Sequence, residues 1–239
     1  MIPWLNDNDH FFPDIEQALD DPNGLLAAGG DLHPQRIITA YKKGIFPWYS
    51  EQDPILWWSP APRCVLPITN LHISNSLAKL MRKQPFTITF DKDFKQVIEQ
   101  CSLTRQHQEG TWITEDMQNA YCKLHQQGTA HSVEVWKGEK LVGGLYGLGI
   151  GNIFFGESMF SHVNNSSKVA FCYLVNQLRI WGYTLIDCQV HSNHLESLGA
   201  IEIDRNEFQS YLSNINIPSV SINNRHWEFD YQLSPKNFY

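Results

Sequence analysis

Two short apolar segments in the second half of the chain carry the polar side chains best suited to chemistry. Glu157 lies in the first segment, and Asp187 and Gln189 lie in the second. Side chains alternate between the two faces of a strand, so we expect Asp187 and Gln189 on one face and Ile186 and Cys188 on the other. A carboxylate and an amide on one face of a strand are a pair of polar groups that could act on a substrate.

Burial would make such a pair costly unless its polar atoms are bonded. Two interpretations are therefore open: Asp187 and Gln189 act on a substrate, or they form a satisfied polar pair inside a core. The same alternation turns Cys188 away from Asp187, which makes the thiol a poor candidate for a nucleophile.

The composition limits the classes of protein to consider. The chain has 239 residues, of which 42% are apolar and 18% charged, with a formal net charge of -7. This length fits one large domain or two small ones. The acidic balance argues against general coating of nucleic acid, so a nucleic-acid partner would need a local basic patch.

Cysteine usage and hydropathy indicate the compartment. The five cysteines are widely spaced and include no C-x-x-C pair, which argues for reduced thiols and against a disulfide framework or a zinc site. No apolar run approaches the roughly 18 residues that cross a bilayer, and the N-terminus has no signal-peptide pattern. We therefore expect a cytoplasmic protein with no metal, no cofactor and no membrane partner.

The N-terminal third predicts a small module rich in aromatic residues. Pro34 and Gly44 delimit a helix over 33–43. The aromatic side chains that follow could form a hydrophobic clasp or stack on a base or ring. Trp57 suits the clasp, and Trp48, which precedes polar residues, suits the stacking role.

A second helix, over 73–84, supplies the basic patch. Lys79, Arg82 and Lys83 recur at i, i+3 and i+4, so all three lie on one helix face. Such a face is usually only solvated. In an acidic chain it is also the best place for phosphate contacts.

From about Trp112 the pattern changes to that of a mixed sheet with helices. A helix over 114–128 precedes three antiparallel strands near 132–136, 141–148 and 152–159. Further elements alternate as helix, strand, helix, strand and helix up to Leu212. This order resembles an acetyltransferase-like (GNAT-like) α+β domain with a mixed, mostly antiparallel sheet flanked by helices. We expect the N-terminal module over 1–63 and this domain over 64–239, with 213–239 a candidate for an extra strand.

Short motifs between about Phe12 and Leu212 closely resemble leucyl/phenylalanyl-tRNA-protein transferases, in the same order. The motifs are Gly24-Leu25-Leu26-Ala27, Gly29-Gly30-Asp31-Leu32, Gly44-Ile45-Phe46-Pro47-Trp48, Trp57-Trp58-Ser59-Pro60, Thr111-Trp112-Ile113-Thr114, His131-Ser132-Val133-Glu134, Gly143-Gly144-Leu145-Tyr146-Gly147, Gly156-Glu157-Ser158-Met159-Phe160-Ser161 and Ile186-Asp187-Cys188-Gln189.

The resemblance implies a reaction. Members of this family transfer Leu or Phe, with Met a further candidate, from aminoacyl-tRNA to the α-amino group of proteins that begin with Arg or Lys. The new peptide bond marks these proteins for degradation by the N-end rule pathway. The implied partners are Leu-tRNA, Phe-tRNA and the acceptor proteins, and we expect the enzyme to act as a monomer.

The resemblance also implies the site residues. Glu157 would bind the cationic N-terminal residue of the acceptor. Gln189 would orient the attacking amine, and Asp187 would polarise it or take its proton. The adenosine would stack near Trp48 and Trp112. The pocket for the aminoacyl side chain would be lined by Leu145, Phe154, Met159, Phe171, Leu174 and Ile186.

Two other functions remain as alternatives. An acetyl-CoA-dependent N-acetyltransferase of the same fold would hold pyrophosphate in a glycine-rich loop, but the corresponding stretch, 161–168, contains no glycine. A non-catalytic tRNA-binding module is a poor fit to the net acidity and to the pair of Asp187 and Gln189.

Overall fold

The computed structural model describes residues 2–7, 9–106, 111–215 and 227–228. Most of 213–239, the candidate for an extra strand, lies outside these residues. None of the described helices is long and apolar enough to cross a membrane.

The first sheet is built from the N-terminal part of the chain. Its strands are β1 (Trp4–Leu5), β2 (Leu25–Gly29), β3 (Phe46–Pro47) and β4 (Leu56–Trp58), in the order β1-β2-β4-β3. β1 is parallel to β2, and the other pairs are antiparallel. Trp57 is fully buried and donates its indole N–H to the Gly29 carbonyl oxygen at 2.9 Å, so it has the interior position predicted for a clasp.

The predicted first helix, α1 (Pro34–Lys42), is confirmed. His33 caps its start by accepting a hydrogen bond from the Gln35 backbone N–H. Pro34 suits the first turn, where the missing N–H would have no helical partner. Gly44 follows the helix with a φ of +77°, which residues with a side chain rarely adopt.

The second sheet is mixed and mostly antiparallel, as predicted. Within the described residues its order is β11-β5-β10-β9-β8-β7-β6. The only parallel pair among these strands is β9 with β10. The strands are β5 (Arg63–Pro67), β6 (Thr87–Phe90), β7 (Ala130–Lys137), β8 (Lys140–Ile150), β9 (Ile153–Ser161), β10 (Leu185–Gln189) and β11 (Ile201–Ile203).

Helices cover both faces of this sheet. The alternation of apolar side chains along the strands divides them between two clusters, so Phe154 packs with α2 and α5 while Phe155 packs with α3 and α4. The α+β class and the predicted meander of β7, β8 and β9 are therefore confirmed. The helices after α1 are α2 (Asn75–Arg82), α3 (Phe94–Gln106), α4 (Glu115–Gln126), α5 (Ser166–Ile180), α6 (Asn193–Glu196) and α7 (Arg205–Ser213).

One glycine explains how closely α5 approaches the sheet. A Cβ atom added to Gly143 on β8 would lie 2.3 Å from the Ser166 hydroxyl oxygen at the start of α5. The same hydroxyl donates a hydrogen bond to the Val142 carbonyl oxygen at 2.8 Å. Only a residue without a side chain fits at this contact.

The boundary near residue 63 stays a prediction. The first sheet uses residues up to Trp58 and the second uses residues from Arg63 onward. One hydrophobic cluster nevertheless includes residues of both sheets, such as Trp57 and Phe155.

Candidate active site

A cavity opens where the parallel strands β9 and β10 stop pairing. Their register ends at the pair Phe155 and Asp187, although β9 continues to Ser161. Residues beyond this point on both strands line a cavity of about 640 Å³, which is large enough for a small-molecule group. The cavity therefore results from the divergence of two strands in the middle of the sheet.

Six apolar side chains predicted to form one pocket do line this cavity together. They come from β8, β9, β10 and α5, and the two on α5 lie three residues apart and so share one helix face. The six are Leu145, Phe154, Met159, Phe171, Leu174 and Ile186.

Glu157 lies in the same cavity within a network of hydrogen bonds. Its Oε1 accepts bonds from the Tyr41 hydroxyl at 2.6 Å and from the Gln189 amide at 3.1 Å, and its Oε2 accepts one from the Tyr121 hydroxyl at 3.0 Å. The two phenols also contact each other at 2.7 Å. Tyr41 comes from α1 and Tyr121 from α4, so two helices and two strands meet at this carboxylate.

The surroundings raise the pKa of Glu157 to about 7. Burial is the largest cause, because it penalises the charged form, and the nearby Asp187 charge adds to it. The hydrogen bonds from Tyr41, Tyr121 and Gln189 act in the opposite direction. Among the described residues that line the cavity, Glu157 is the only carboxylate.

The structure contradicts the prediction that Asp187 shares a face with Gln189. The ladder between β10 and β5 shifts register between these two residues, and Gln189 has a φ of +64°. This bulge turns the Gln189 side chain into the cavity with Ile186 and Cys188, whereas Asp187 faces the other side of the sheet. Cys188 faces away from Asp187, as predicted, but the cavity lies on the Cys188 side of the strand.

Asp187 is fully buried and paired with Arg63. The guanidinium donates from Nε to Oδ1 at 2.8 Å and from Nη2 to Oδ2 at 2.7 Å. It also lies 4.9 Å from the centre of the Phe46 ring and 4.7 Å from that of the Phe208 ring. The Asp187 carboxylate is therefore occupied and does not line the cavity.

Asp187 still contributes to the site through the backbone. Its Oδ1 accepts a hydrogen bond from the Gln189 backbone N–H at 3.0 Å. This bond spans the bulge and stabilises the left-handed conformation that directs the Gln189 side chain. Because an ionised Glu157 can only accept, the amide NH₂ of Gln189 must face it, which leaves the amide oxygen for another partner.

The two tryptophans predicted to stack on adenosine also line the cavity. Their rings meet edge to face at 6.1 Å, and Trp48 remains 42% exposed. The guanidinium of Arg105, at the end of α3, lies 4.1 Å from the centre of the Trp112 ring. An exposed indole beside a cavity is a suitable surface for stacking a base.

The basic patch lies away from the cavity. Lys79 and Arg82 are exposed on α2 and Lys83 follows as its C-terminal cap, while Leu77 and Met81 bury the opposite helix face. None of the three cations lines the cavity. Their common exposed face agrees with the predicted helix geometry, and their contact with tRNA stays a prediction.

Sequence reasoning missed four site residues. Tyr41 and Tyr121 lie on predicted helices, and nothing local in the sequence shows that their hydroxyls meet Glu157. Arg63 and Arg105 carry no motif of their own. The pairing of β5 with β10, which would have brought Arg63 beside Asp187, could not be inferred from either strand alone.

No group of three or more His, Cys, Asp or Glu side chains in the described part of the chain is arranged to hold a metal ion.

Comparisons with known proteins identify relatives over most of the chain. The family described as leucyl/phenylalanyl-tRNA protein transferase matches residues 65–213, and the N-terminal domain of the same family matches residues 30–61. A leucyl/phenylalanyl-tRNA--protein transferase of Cellvibrio japonicus is 58% identical over 89% of this chain and 90% of its own. One of Pseudomonas fluorescens is 56% identical over 93% of this chain and 99% of its own.

Solved structures show only distant likeness. L-PGS from Bacillus licheniformis has a TM-score of 0.42 at 12% identity, covering 71% of this chain and 56% of that one. An aminoglycoside acetyltransferase from a soil metagenome has a TM-score of 0.36 at 13% identity, covering 62% of this chain and 97% of that one. The sequence relatives are decisive: the chain belongs to the leucyl/phenylalanyl-tRNA protein transferase family and is an aminoacyltransferase.

Proposed function

We propose that this protein transfers Leu or Phe from aminoacyl-tRNA to the α-amino group of proteins that begin with Arg or Lys. The modified proteins would then enter N-end rule degradation. One observation carries the proposal: a cavity with an apolar wall also contains a single described carboxylate, Glu157, and is bordered by the exposed indole of Trp48.

The apolar wall suits the donor side chain. Burying a Leu or Phe side chain contributes about 1.5 to 3 kcal/mol, and Met is similar in size and polarity. Leu145, Phe154 and Phe171 offer no charge that would favour a polar amino acid. The donor's adenine would stack on Trp48 or Trp112, which contributes about 1 to 3 kcal/mol per base.

Glu157 suits the cationic residue of the acceptor. An ionised carboxylate offers about four lone-pair sites, and three are occupied by Tyr41, Tyr121 and Gln189. The remaining site is on Oε2, which accepts one bond whereas Oε1 accepts two. A single free site accepts an ammonium as readily as a guanidinium, so Lys and Arg should be recognised alike.

The chemistry needs positioning more than it needs a strong base. The acceptor nitrogen attacks the ester carbonyl carbon, the C–N bond forms, and the C–O bond to the ribose breaks. The proton that the amine loses ends on the departing ribose oxygen. At pH 7 an α-amine with a pKa of about 8 is about a tenth neutral, so deprotonation costs only about 1.4 kcal/mol, whereas good alignment contributes about 7 to 11 kcal/mol.

Gln189 is the residue that would align the attacking amine with the ester. Its amide nitrogen is held by Glu157, and within the described residues its oxygen accepts no hydrogen bond. That oxygen can accept one N–H of the attacking amine and direct the nitrogen lone pair at the ester. Asp187 acts as a positioning residue, because it holds the bulge that directs Gln189.

The tRNA body would contact the exposed face of α2. With a net charge of -7 the chain as a whole repels phosphates, so the local cations Lys79, Arg82 and Lys83 would have to supply the attraction. Aminoacyl-tRNA is a cytoplasmic substrate, and we place the reaction there.

A transfer assay tests the proposal. The protein would be incubated with Phe-tRNA or Leu-tRNA and with peptides that begin with Arg, Lys or Ala, and a parallel reaction would contain acetyl-CoA as the only donor. We expect aminoacylated Arg and Lys peptides and no acetylated product. Acetylation, or transfer without preference for a cationic N-terminal residue, would contradict the proposal.

A further inference from the structure

Arg105 is a cation held within the cavity by neutral groups. Its Nε donates to the Ser158 hydroxyl at 3.0 Å, and its guanidinium lies over the Trp112 ring at 4.1 Å. The side chain is partly buried and lines the cavity. These contacts fix the plane of the guanidinium but use only one of its five N–H donors.

Within the described residues Arg105 has no anionic partner. No carboxylate in the described part of the chain forms an ion pair with it, and Glu157, on the same cavity, accepts its bonds from Tyr41, Tyr121 and Gln189. Burial lowers the pKa of the Arg105 guanidinium, and the groups that oppose this shift are the Cys101 thiol and the Tyr146 phenol. A partly desolvated cation without a counter-ion is costly, and an anionic ligand would remove that cost.

The donor substrate has one anionic group that can reach this place. The α-ammonium group of the aminoacyl residue is a cation and would be repelled, and the ester is neutral. The phosphodiester on the 5′ side of the terminal adenosine is the anion closest to the base. A base stacked at Trp112 brings that phosphodiester to the same end of the cavity as Arg105.

We propose that Arg105 binds the phosphodiester on the 5′ side of the donor's terminal adenosine through its Nη donors. A planar guanidinium with its Nε already fixed by Ser158 presents a rigid pair of nitrogens, which suits two phosphate oxygens. Arg105 thus positions the ester by holding its nucleotide. This inference rests on the proposed transfer from aminoacyl-tRNA.

Two donors that differ in the phosphate test the inference. Phenylalanyl-adenosine lacks the phosphodiester, and the phenylalanyl ester of cytidylyl-adenosine contains it. With an Arg-started peptide, Arg105→Gln should lower kcat/KM about tenfold or more for the cytidylyl-adenosine ester. For phenylalanyl-adenosine the change should stay within a few-fold, because only the support that Arg105 gives to the Trp112 ring is removed.

Lys92→Gln provides a matched control. The Lys92 ammonium lies over the Trp136 ring at 4.7 Å and does not line the cavity, so its removal deletes a cation over an indole without touching the site. It should leave kcat/KM unchanged for both donors. Arg105→Lys should recover part of the phosphate effect, because it restores the charge without the planar pair.

Binding of 5′-AMP and adenosine, followed by tryptophan fluorescence, gives a measurement independent of turnover. The wild-type protein should bind 5′-AMP more tightly, and Arg105→Gln should remove that advantage. Equal losses for both donors, or an unchanged ratio of the two affinities, would overturn the inference. If the wild-type protein transfers from neither donor although both bind, the proposed function fails instead.

Discussion

Replacing Glu157 by Gln tests the recognition of the acceptor. Gln keeps the size of the side chain but removes the charge, and its amide nitrogen cannot accept the bonds that Tyr41, Tyr121 and Gln189 now donate. A cationic N-terminal side chain would lose its partner, whereas an Ala-started acceptor has no such group to lose. The preference for Arg over Ala should therefore fall.

The expected magnitude follows from one charge-assisted hydrogen bond. Such a bond contributes about 1.5 to 3 kcal/mol, which corresponds to a loss of about 10- to 150-fold in the Arg-to-Ala ratio of kcat/KM. Lys-started peptides should lose a similar factor, because Glu157 has one free acceptor site.

The pH dependence gives a second measure of the same interaction. With a Glu157 pKa of about 7, about a tenth of the free enzyme is ionised at pH 6 and about nine-tenths at pH 8. The Arg-to-Ala ratio of kcat/KM should therefore rise with pH through this range in the wild type. Taking the ratio cancels the ionisation of the acceptor amine, which both peptides share. In Glu157→Gln the ratio should not depend on pH.

Steady-state kinetics with Arg-, Lys- and Ala-started peptides between pH 6 and 8 would measure both effects. Asp116→Asn is a suitable control, since it changes the net charge equally at an exposed position on α4. If Glu157→Gln kept the full preference for Arg, or if the wild-type ratio did not change with pH, Glu157 would have only a structural role.

Three further predictions concern tRNA, the buried ion pair and helix packing. Replacing Lys79, Arg82 and Lys83 together by Gln should weaken tRNA binding and reduce the slope of its salt dependence by up to about 0.9 for each phosphate that these cations neutralise; an unchanged slope would place the phosphates elsewhere. Asp187→Ala leaves the buried Arg63 guanidinium unpaired and should lower the free energy of unfolding, measured by urea denaturation, by about 3 to 5 kcal/mol. Full stability together with abolished turnover would instead indicate a direct catalytic role for this carboxylate. Gly143→Ala adds a Cβ 2.3 Å from a serine hydroxyl oxygen of α5 and should cost about 1 to 3 kcal/mol; an unchanged melting temperature would show that α5 moves aside freely.

The apolar part of the site could be predicted from the sequence, and its polar part only incompletely. Leu145, Phe154 and Ile186 were placed through the family resemblance, and all line the cavity. The strand segments that hold these three residues alternate regularly, so identity and position along the chain suffice to predict their face.

The polar part depends on two irregular places in the sheet, at Gln189 and at Glu157, and on distant contacts. Gln189 adopts a φ of +64° although glutamine carries no turn signal, so alternation predicted the wrong face for Gln189, which lies with Ile186 and not with Asp187. The phenol of Tyr41 meets Glu157 across 116 positions of sequence. No local pattern encodes that contact, because it exists only after α1 packs against the second sheet.

The contacts among Tyr41, Tyr121 and Glu157 have a consequence for proton exchange. The two hydroxyls and the carboxylate form a closed triangle with sides of 2.7, 2.6 and 3.0 Å. Two phenols carry two protons, so an ionised Glu157 leaves one side of the triangle without a hydrogen. Protonation of Glu157 supplies the hydrogen for the third side of the triangle, and no heavy atom needs to move. A cation that binds the carboxylate therefore displaces a proton from those molecules in which Glu157 is protonated, about half of them at pH 7. Calorimetry in buffers of different ionisation enthalpy would count the protons released, and the count should fall as the pH rises from 6 to 8.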